Sequence, residues 1–384
     1  MYFDLAPKEK RDDLYDFVDP YARLVELLKM PVQRNPLIVV KGVRRAGKTS
    51  LIKTALNELG LSYLYINGKR FADMPAITKK NLLKELERGL NETVEREKRT
   101  EKFLEVLRGV EWLKVDSKPP FIHFEWRRPS REMDIPDLIY SFQRLSRQSK
   151  RRFVLVLDEA QEFKRLADYK LQNLMSDIYD HRHEIQMIVS GSQIGLLHDF
   201  LEIYDPKGAL YGRGKAEIVV QRLSKDLATD FLRQGFKQAG IRSDQTTIDR
   251  AVDELDGVIG WLTLYGHNMM AGAKTGGSSK EILAQTIEEG SKLEAQELEH
   301  FLKTREPARR RYVAILKAAA KLRKASWSDL RTNLIAAEKK RVSNKIFSAL
   351  LENLVKANFL DKKEDTYFVP DPLLIRALQA GLVH

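Results

Sequence analysis

The chain has 384 residues, 43% of them hydrophobic, with a formal net charge of +12 and no cysteine. That length calls for two or three domains, and that apolar share fills real cores. Without cysteine there is no disulfide framework, thiol catalysis or thiolate metal site, and the His181/His183 pair reads as a solvated helix end because no second cluster matches it.

The leading "MYFDLAPKEKRDD" has no apolar signal core, and no apolar run reaches the ~20 residues of a membrane helix. A soluble, cytoplasmic protein without a membrane partner is expected. Five β-branched runs follow: "LIVV" (37–40), "YLYIN" (63–67), "FVLVLDE" (153–159), "QMIVSGS" (186–192) and "EIVVQRL" (217–223). Each is continuously apolar rather than alternating, as strands buried on both faces of a parallel sheet are. Helical stretches between them give an α/β core over residues 1–223. Residues 79–150 interrupt this rhythm with a charged helical stretch, a hairpin over "VEWLKVDSKPPFIHFEW" and a helix over "DIPDLIYSFQRLSRQ". They read as an elaborated crossover between the second and third strands.

Ser224 is a helix N-cap with Asp226 in the first turn, opening a helical lid over 224–302 whose flexible connection is "KTGGSSKE". Residues 303–384 read as three helices and a short hairpin, the winged-helix pattern. Residues 303–345 hold fourteen Lys and Arg against three acids, almost the whole positive surplus of the chain.

The chemistry is concentrated in "KGVRRAGKTSL" (41–51), which satisfies G-x-x-x-x-G-K-[ST] between a strand and a helix. Gly42 and Gly47 let the backbone curl its N–H groups toward phosphate oxygens. Val43, Arg44, Arg45 and Ala46 occupy the variable positions, Lys48 reaches the β- and γ-phosphates, Thr49 offers a hydroxyl to Mg2+, and Ser50 completes the nucleotide-binding set. Because the backbone wraps the phosphates, Arg44 and Arg45 are free to point outward, and at least one is expected to form an interdomain salt bridge. In "RFVLVLDEAQ", Asp158 ends a buried strand and would hold the metal, while Glu159 would orient or deprotonate the attacking water. In "MIVSGS", Ser190 or Ser192 is expected at the tip of the next strand, at the γ-phosphate or the water. Arg213, in "LYGRGKAEI", is expected to act on γ-phosphate charge as an arginine finger does.

Together "GVRRAGKTSL", "VLVLDEAQ", "IVSGS", "YGR", "DGVIGWLTLYG" (256–266), "YFVPDPLLIRAL" (367–378) and the leading "FDLAPKEKRDDLYDF" resemble the archaeal ATPase family, a branch of the AAA+/STAND group of P-loop NTPases. The resemblance spans nearly the whole chain. It implies a five-stranded parallel core with one strand between the phosphate-loop strand and the "LVLDE" strand, a helical lid and a C-terminal winged helix. Lys48, Thr49, Asp158 and Glu159 carry over, as does Arg213. The STAND lid motif G-x-P has no proline here, where residues 257–262 read "GVIGWL", so Trp261 is expected in the lid core.

The bound ligand is expected to be ATP or ADP with Mg2+, since no guanine-reading "NKxD" follows the fourth strand. The first reading of function is a slow ATPase that works as a nucleotide-controlled switch. The alternative is a DNA-binding AAA+ protein, a regulator or replication-initiator-like factor, whose residues 303–345 contact duplex DNA. A protein partner for the winged helix is the third possibility.

Overall fold

A computed structural model describes residues 1–15, 18–74, 76–96, 100–110, 113–124 and 135–383. The ends of the expected hairpin (Glu111, Trp112, Glu125, Trp126), Asp134 and the end of the leading segment (Asp16, Phe17) lie outside the described residues.

The core opens with α1 (Val18–Lys29), followed by β1 (Leu37–Gly42), α2 (Lys48–Glu58) and β2 (Ser62–Asn67). The insertion supplies α3 (Lys79–Arg96), α4 (Thr100–Arg108), β3 (Leu113–Val115), β4 (Ile122–Phe124) and α5 (Ile135–Ser149). Then come β5 (Phe153–Asp158), α6 (Leu171–His181), β6 (Ile185–Gly191), α7 (Ile194–Leu201) and β7 (Ala216–Val220). The core sheet has the order β2-β5-β6-β1-β7, with every pairing parallel. β6 is the strand between the phosphate-loop strand and the "LVLDE" strand.

Every position of β5 and β6 is buried, which explains their unbroken apolar sequence. The period of two sorts these side chains onto two faces. Ile38, Val40, Val154, Val156 and Ile188 share a core with α1, α2 and the lid, whereas Leu37, Val39, Leu155, Leu157, Met187 and Val189 face α3 to α7. Each buried aliphatic side chain contributes about 1.5–3 kcal/mol of transfer free energy. Leu86, Phe103, Ile122 and Phe142 of the insertion lie in this second core, so 79–150 is built onto the sheet rather than set apart from it.

The lid comprises α8 (Lys225–Ala239), α9 (Gln245–Leu255), α10 (Ile259–Thr275) and α11 (Ser279–Lys303), and Ser224 caps α8 through the Leu227 amide as its sequence predicts. The connection expected to be flexible is instead a tight capped turn. Gly276 ends α10 in the left-handed region, and Ser278 and Glu281 form a reciprocal capping box on α11.

The C-terminal region contains α12 (Arg309–Leu322), β8 (Ala325–Ser326), α13 (Trp327–Glu338), α14 (Asn344–Lys356), β9 (Asp361–Lys363), β10 (Thr366–Phe368) and α15 (Pro372–Gln379). Its small sheet, β8-β10-β9, makes the winged helix. α11 belongs to both neighbours: Ile282 and Leu283 lie in the lid core, while Leu298, Phe301 and Leu302 lie in the winged-helix core. A single helix therefore links the two without a hinge at residue 302.

Candidate active site

Parallel strands place the ends of β1, β5 and β6 on one carboxyl edge, where three sequence motifs meet. Gly42 is required by a close approach, since a Cβ there would stand 2.2 Å from the Val220 carbonyl oxygen on β7. Gly47 lies at φ 89°, the left-handed bend that points the loop into α2. Lys48 is buried at the first position of that helix, and its Nζ donates to the carbonyls of Gly42 and Val43 at 3.0 Å each. The Glu159 carboxylate lies 3.8 Å away. Burial pulls the Lys48 ammonium below its ordinary pKa, with Glu159 and Asp158 opposing that shift.

Asp158 is buried and fully engaged. Thr49 donates its hydroxyl to Oδ2 at 2.8 Å, and Tyr65 donates to the same oxygen. Ser190 and, at 3.2 Å, the Glu159 amide donate to Oδ1. Burial and the neighbouring carboxylate push the Tyr65 phenol far above its ordinary value, so it remains a donor. Glu159 adopts φ 49°, turning its side chain off the strand end and toward Lys48. Its Oε2 accepts from Gln161 Nε2 at 2.7 Å and from the Ser192 hydroxyl and amide at 2.7 and 3.0 Å. Burial raises this carboxyl, but Lys48 and the hydrogen bonds outweigh it and hold Glu159 below its ordinary value.

Beside the loop lies a cavity of about 410 Å³ whose lining includes Lys8, Tyr15, Arg45, Lys48, Phe231 and Leu264. The leading segment forms one of its walls. The Lys8 amide donates to Ser50 Oγ at 3.0 Å, and Thr54 donates to the Lys8 carbonyl at 3.1 Å. Phe3 is fully buried in a hole between α8 and α10, where a Cβ on Gly235 or Gly266 would stand 2.2 Å from its ring.

Of the two loop arginines, Arg45 lines the cavity, and both reach across to the lid and winged helix. Arg45 lies at φ 59°, and its carbonyl accepts from the Gly260 amide at 3.0 Å. Its guanidinium stands 4.1 Å from the Trp261 ring centre, with Nε 3.2 Å from Glu294. Arg44 Nη1 is 3.8 Å from Glu297, and its guanidinium stands 4.7 Å from the ring of Phe359 in the winged helix. The expected interdomain ion pair is therefore made by both residues. Trp261 is buried in the lid core and donates from Nε1 to Asp371, the cap of α15, at 3.1 Å. Burial and then Asp371 push Glu294 up to about 7, against Arg44 and Arg45. Glu297 titrates down at about 2: burial raises it, but Arg44 and Lys69 outweigh that.

Thus Gly42 through Ser50, Asp158 and Glu159 come together, with two corrections. Ser190 is bonded to Asp158 and does not line the cavity, while Ser192 is the serine that reaches Glu159. Arg213 is not at the site. It precedes β7, whose Ala216 pairs with Ile38 at the start of β1 and whose Val220 pairs with Gly42 at its end. A loop entering a parallel strand lies at the amino edge, opposite the phosphate loop, and there Arg213 Nε donates to Asp180 at 3.1 Å. Sequence reading missed Tyr65 and Gln161. The alternation of "YLYIN" offers a faint signal for Tyr65, since it sets that ring on the α2 face.

A family model for an ATPase domain predominantly from Archaea matches residues 17–263, the span holding all of the motifs at this carboxyl edge. The chain belongs to this archaeal ATPase family. A second model, the C-terminal winged helix-turn-helix domain of MCM proteins, matches residues 306–370. No curated protein matches the chain. Among solved structures, the Walker-type ATPase PABY2304 of Pyrococcus abyssi is 30% identical, covering 99% of this chain and 100% of that one at a TM-score of 0.81. The ORC2 protein of Aeropyrum pernix, in ADPNP–ADP complexes, is 14% identical over 99% of this chain and 98% of that one, and its TM-score of 0.59 is a likeness of fold alone. Among the described residues, no helix of this archaeal ATPase is long and apolar enough to cross a membrane.

Proposed function

We propose that the chain hydrolyses ATP slowly and that the hydrolysis state sets the position of lid and winged helix. The observation that carries this is the convergence of Lys48, Thr49, Asp158 and Glu159 on the phosphate loop. The water oxygen bonds to the γ-phosphorus, the bond from that phosphorus to the β–γ bridging oxygen breaks, and Glu159 takes the water proton. Products are ADP and inorganic phosphate.

Thr49 and Asp158 are hard oxygen donors that suit Mg2+. Among the described residues no group of three or more His, Asp or Glu could hold a metal, so the ion would take its remaining ligands from substrate and water. Bound there, it would neutralise phosphate charge. Replacing Lys48 by Ala is expected to eliminate turnover, measured as phosphate release; unchanged hydrolysis would overturn the assignment.

A second reading, duplex DNA contact by the winged helix, is favoured by one surface. Asn344, Lys345, Ile346, Ser348 and Ala349 on the first half of α14 are exposed, directly after the exposed run Lys339–Arg341. Arg309 and Arg311 are engaged elsewhere, with Glu299 at 2.6 Å and Glu338 at 2.8 Å. Reversing Lys340, Arg341 and Lys345 to Glu is therefore the informative change. Expected is loss of low-salt duplex binding; a wild-type protein that binds no duplex at low salt ends this reading.

A further inference from the structure

Arg44 and Arg45 are neighbours in one loop, yet they are held in different ways. Arg45 is fixed at both ends by the lid, through its carbonyl to Gly260 and its guanidinium to Trp261 and Glu294. Arg44 makes no hydrogen bond among the described residues. Its contacts are the 3.8 Å ion pair with Glu297 and the face of Phe359. A guanidinium carries five N–H donors, so a cation with a side chain only 17% exposed stands here with all of them unused.

Its position matters as much as its idleness. The other oxygen of Glu297 accepts from Lys69 Nζ at 2.8 Å. Lys69 follows Gly68, which lies so close to Glu159 that a Cβ would stand 2.4 Å from the Glu159 carbonyl oxygen. The group of Arg44, Glu297 and Lys69 therefore lies beside Glu159 and close enough to Lys48 to act on its charge. Both Arg44 and Lys69 add to the positive field at Lys48. Arg213, the arginine that sequence reading expected here, lies at the opposite end of the sheet.

We infer that Arg44 is a γ-phosphate-contacting residue of the chain's own site, held back by Phe359 of the winged helix and Glu297 of the lid. Displacement of the winged helix frees the guanidinium to turn onto the γ-phosphate. There it stabilises the charge that builds up as the β–γ bridging bond breaks. The winged helix then acts as a brake on hydrolysis, and whatever displaces it is the activator. This rests on the ATPase reading above.

The test compares equilibrium binding of a non-hydrolysable ATP analogue and of ADP, alongside ATP turnover, in full-length variants. In protein released by Phe359→Leu, adding Arg44→Ala is expected to weaken analogue binding roughly 10- to 100-fold, the range of a lost charge-assisted bond, while ADP affinity stays within about twofold. Phe359→Leu keeps an apolar side chain in the winged-helix core but removes the ring under the guanidinium. Together with Glu297→Gln, which keeps the fold and removes the ion pair, it is expected to raise turnover several-fold. Neither change should raise turnover when combined with Arg44→Ala. An unchanged ratio of analogue to ADP affinity on adding Arg44→Ala to the Phe359→Leu protein, or full activation in the Arg44→Ala background, overturns the inference. A wild-type protein that binds neither nucleotide overturns the ATPase reading itself, and this inference with it.

Discussion

The cleft has a floor and a roof, and they are built by opposite means. On the floor, Lys48, Thr49, Asp158, Glu159, Ser190 and Ser192 sit at the tips of three adjacent strands and satisfy one another. Their spacing is fixed by the register of a sheet buried on both faces. On the roof, Arg44 and Arg45 reach α11 some 250 residues further along the chain, and Arg44 also reaches Phe359 of the winged helix, which has a core of its own. A floor of this kind holds geometry. The winged-helix part of the roof, which meets the phosphate loop through the contact of Arg44 with Phe359, can move away while both sides remain folded.

The sharpest break of the floor is Glu159→Gln. It keeps a hydrogen-bonding side chain but removes the proposed base, and turnover should fall about 10²–10⁴-fold while ADP still binds. Phosphate release and equilibrium binding together check this, and joint loss of both would mean Glu159 is structural.

Arg45→Ala breaks the roof instead. It leaves Glu294 buried without its ion-pair partner and uncovers the Trp261 ring, at a cost of about 1–3 kcal/mol, seen as a lower Tm. ADP affinity should change less than stability does. If turnover collapses as it does for Glu159→Gln, the distinction between floor and roof fails.

A smaller effect comes from Glu294. Its folded-state value of about 7 lies above its ordinary 4.5, so the stability it contributes is complete below pH 4.5 and declines as the pH rises toward 7. Tm measured from pH 5 to 8 should therefore shift in favour of Glu294→Gln as the pH rises. A gap independent of pH would show that Glu294 remains ionised throughout.

The smallest effect belongs to Arg213→Ala. It removes a solvent-facing pair with Asp180 at the amino edge, costing about 0.2–1 kcal/mol and leaving turnover within about twofold. A loss of turnover beyond tenfold would return Arg213 to the active site.

The floor was legible in the sequence because each of its parts is local. A glycine-lysine loop, an apolar run ending in two acids and a serine tip all read as short strings, and strand direction brings their ends together. The same rule, applied to "LYGRGKAEI", would have placed Arg213 correctly, since a residue ahead of a parallel strand lies at the amino edge. The roof was not legible for a physical reason. Glu294 and Glu297 are two of several acids on an amphipathic helix, and nothing in "KLEAQELEH" marks the pair that faces the phosphate loop. Phe359 reads as one more core aromatic of the winged helix. The shared helix α11 was hidden for the same reason, since its apolar stripe continues unbroken from one core into the next.

Phe3 gives the molecule an order of assembly. Its hole is made by Gly235 and Gly266, so the segment that walls the nucleotide cavity has no seat until the lid helices exist. At about 5–20 residues per second of synthesis, roughly 13–50 s separate Phe3 from its partner at Gly266. During that interval the sheet and its phosphate loop can form, but one wall of the pocket is missing. A growing chain therefore has no complete cavity beside its phosphate loop before the lid helices have been made.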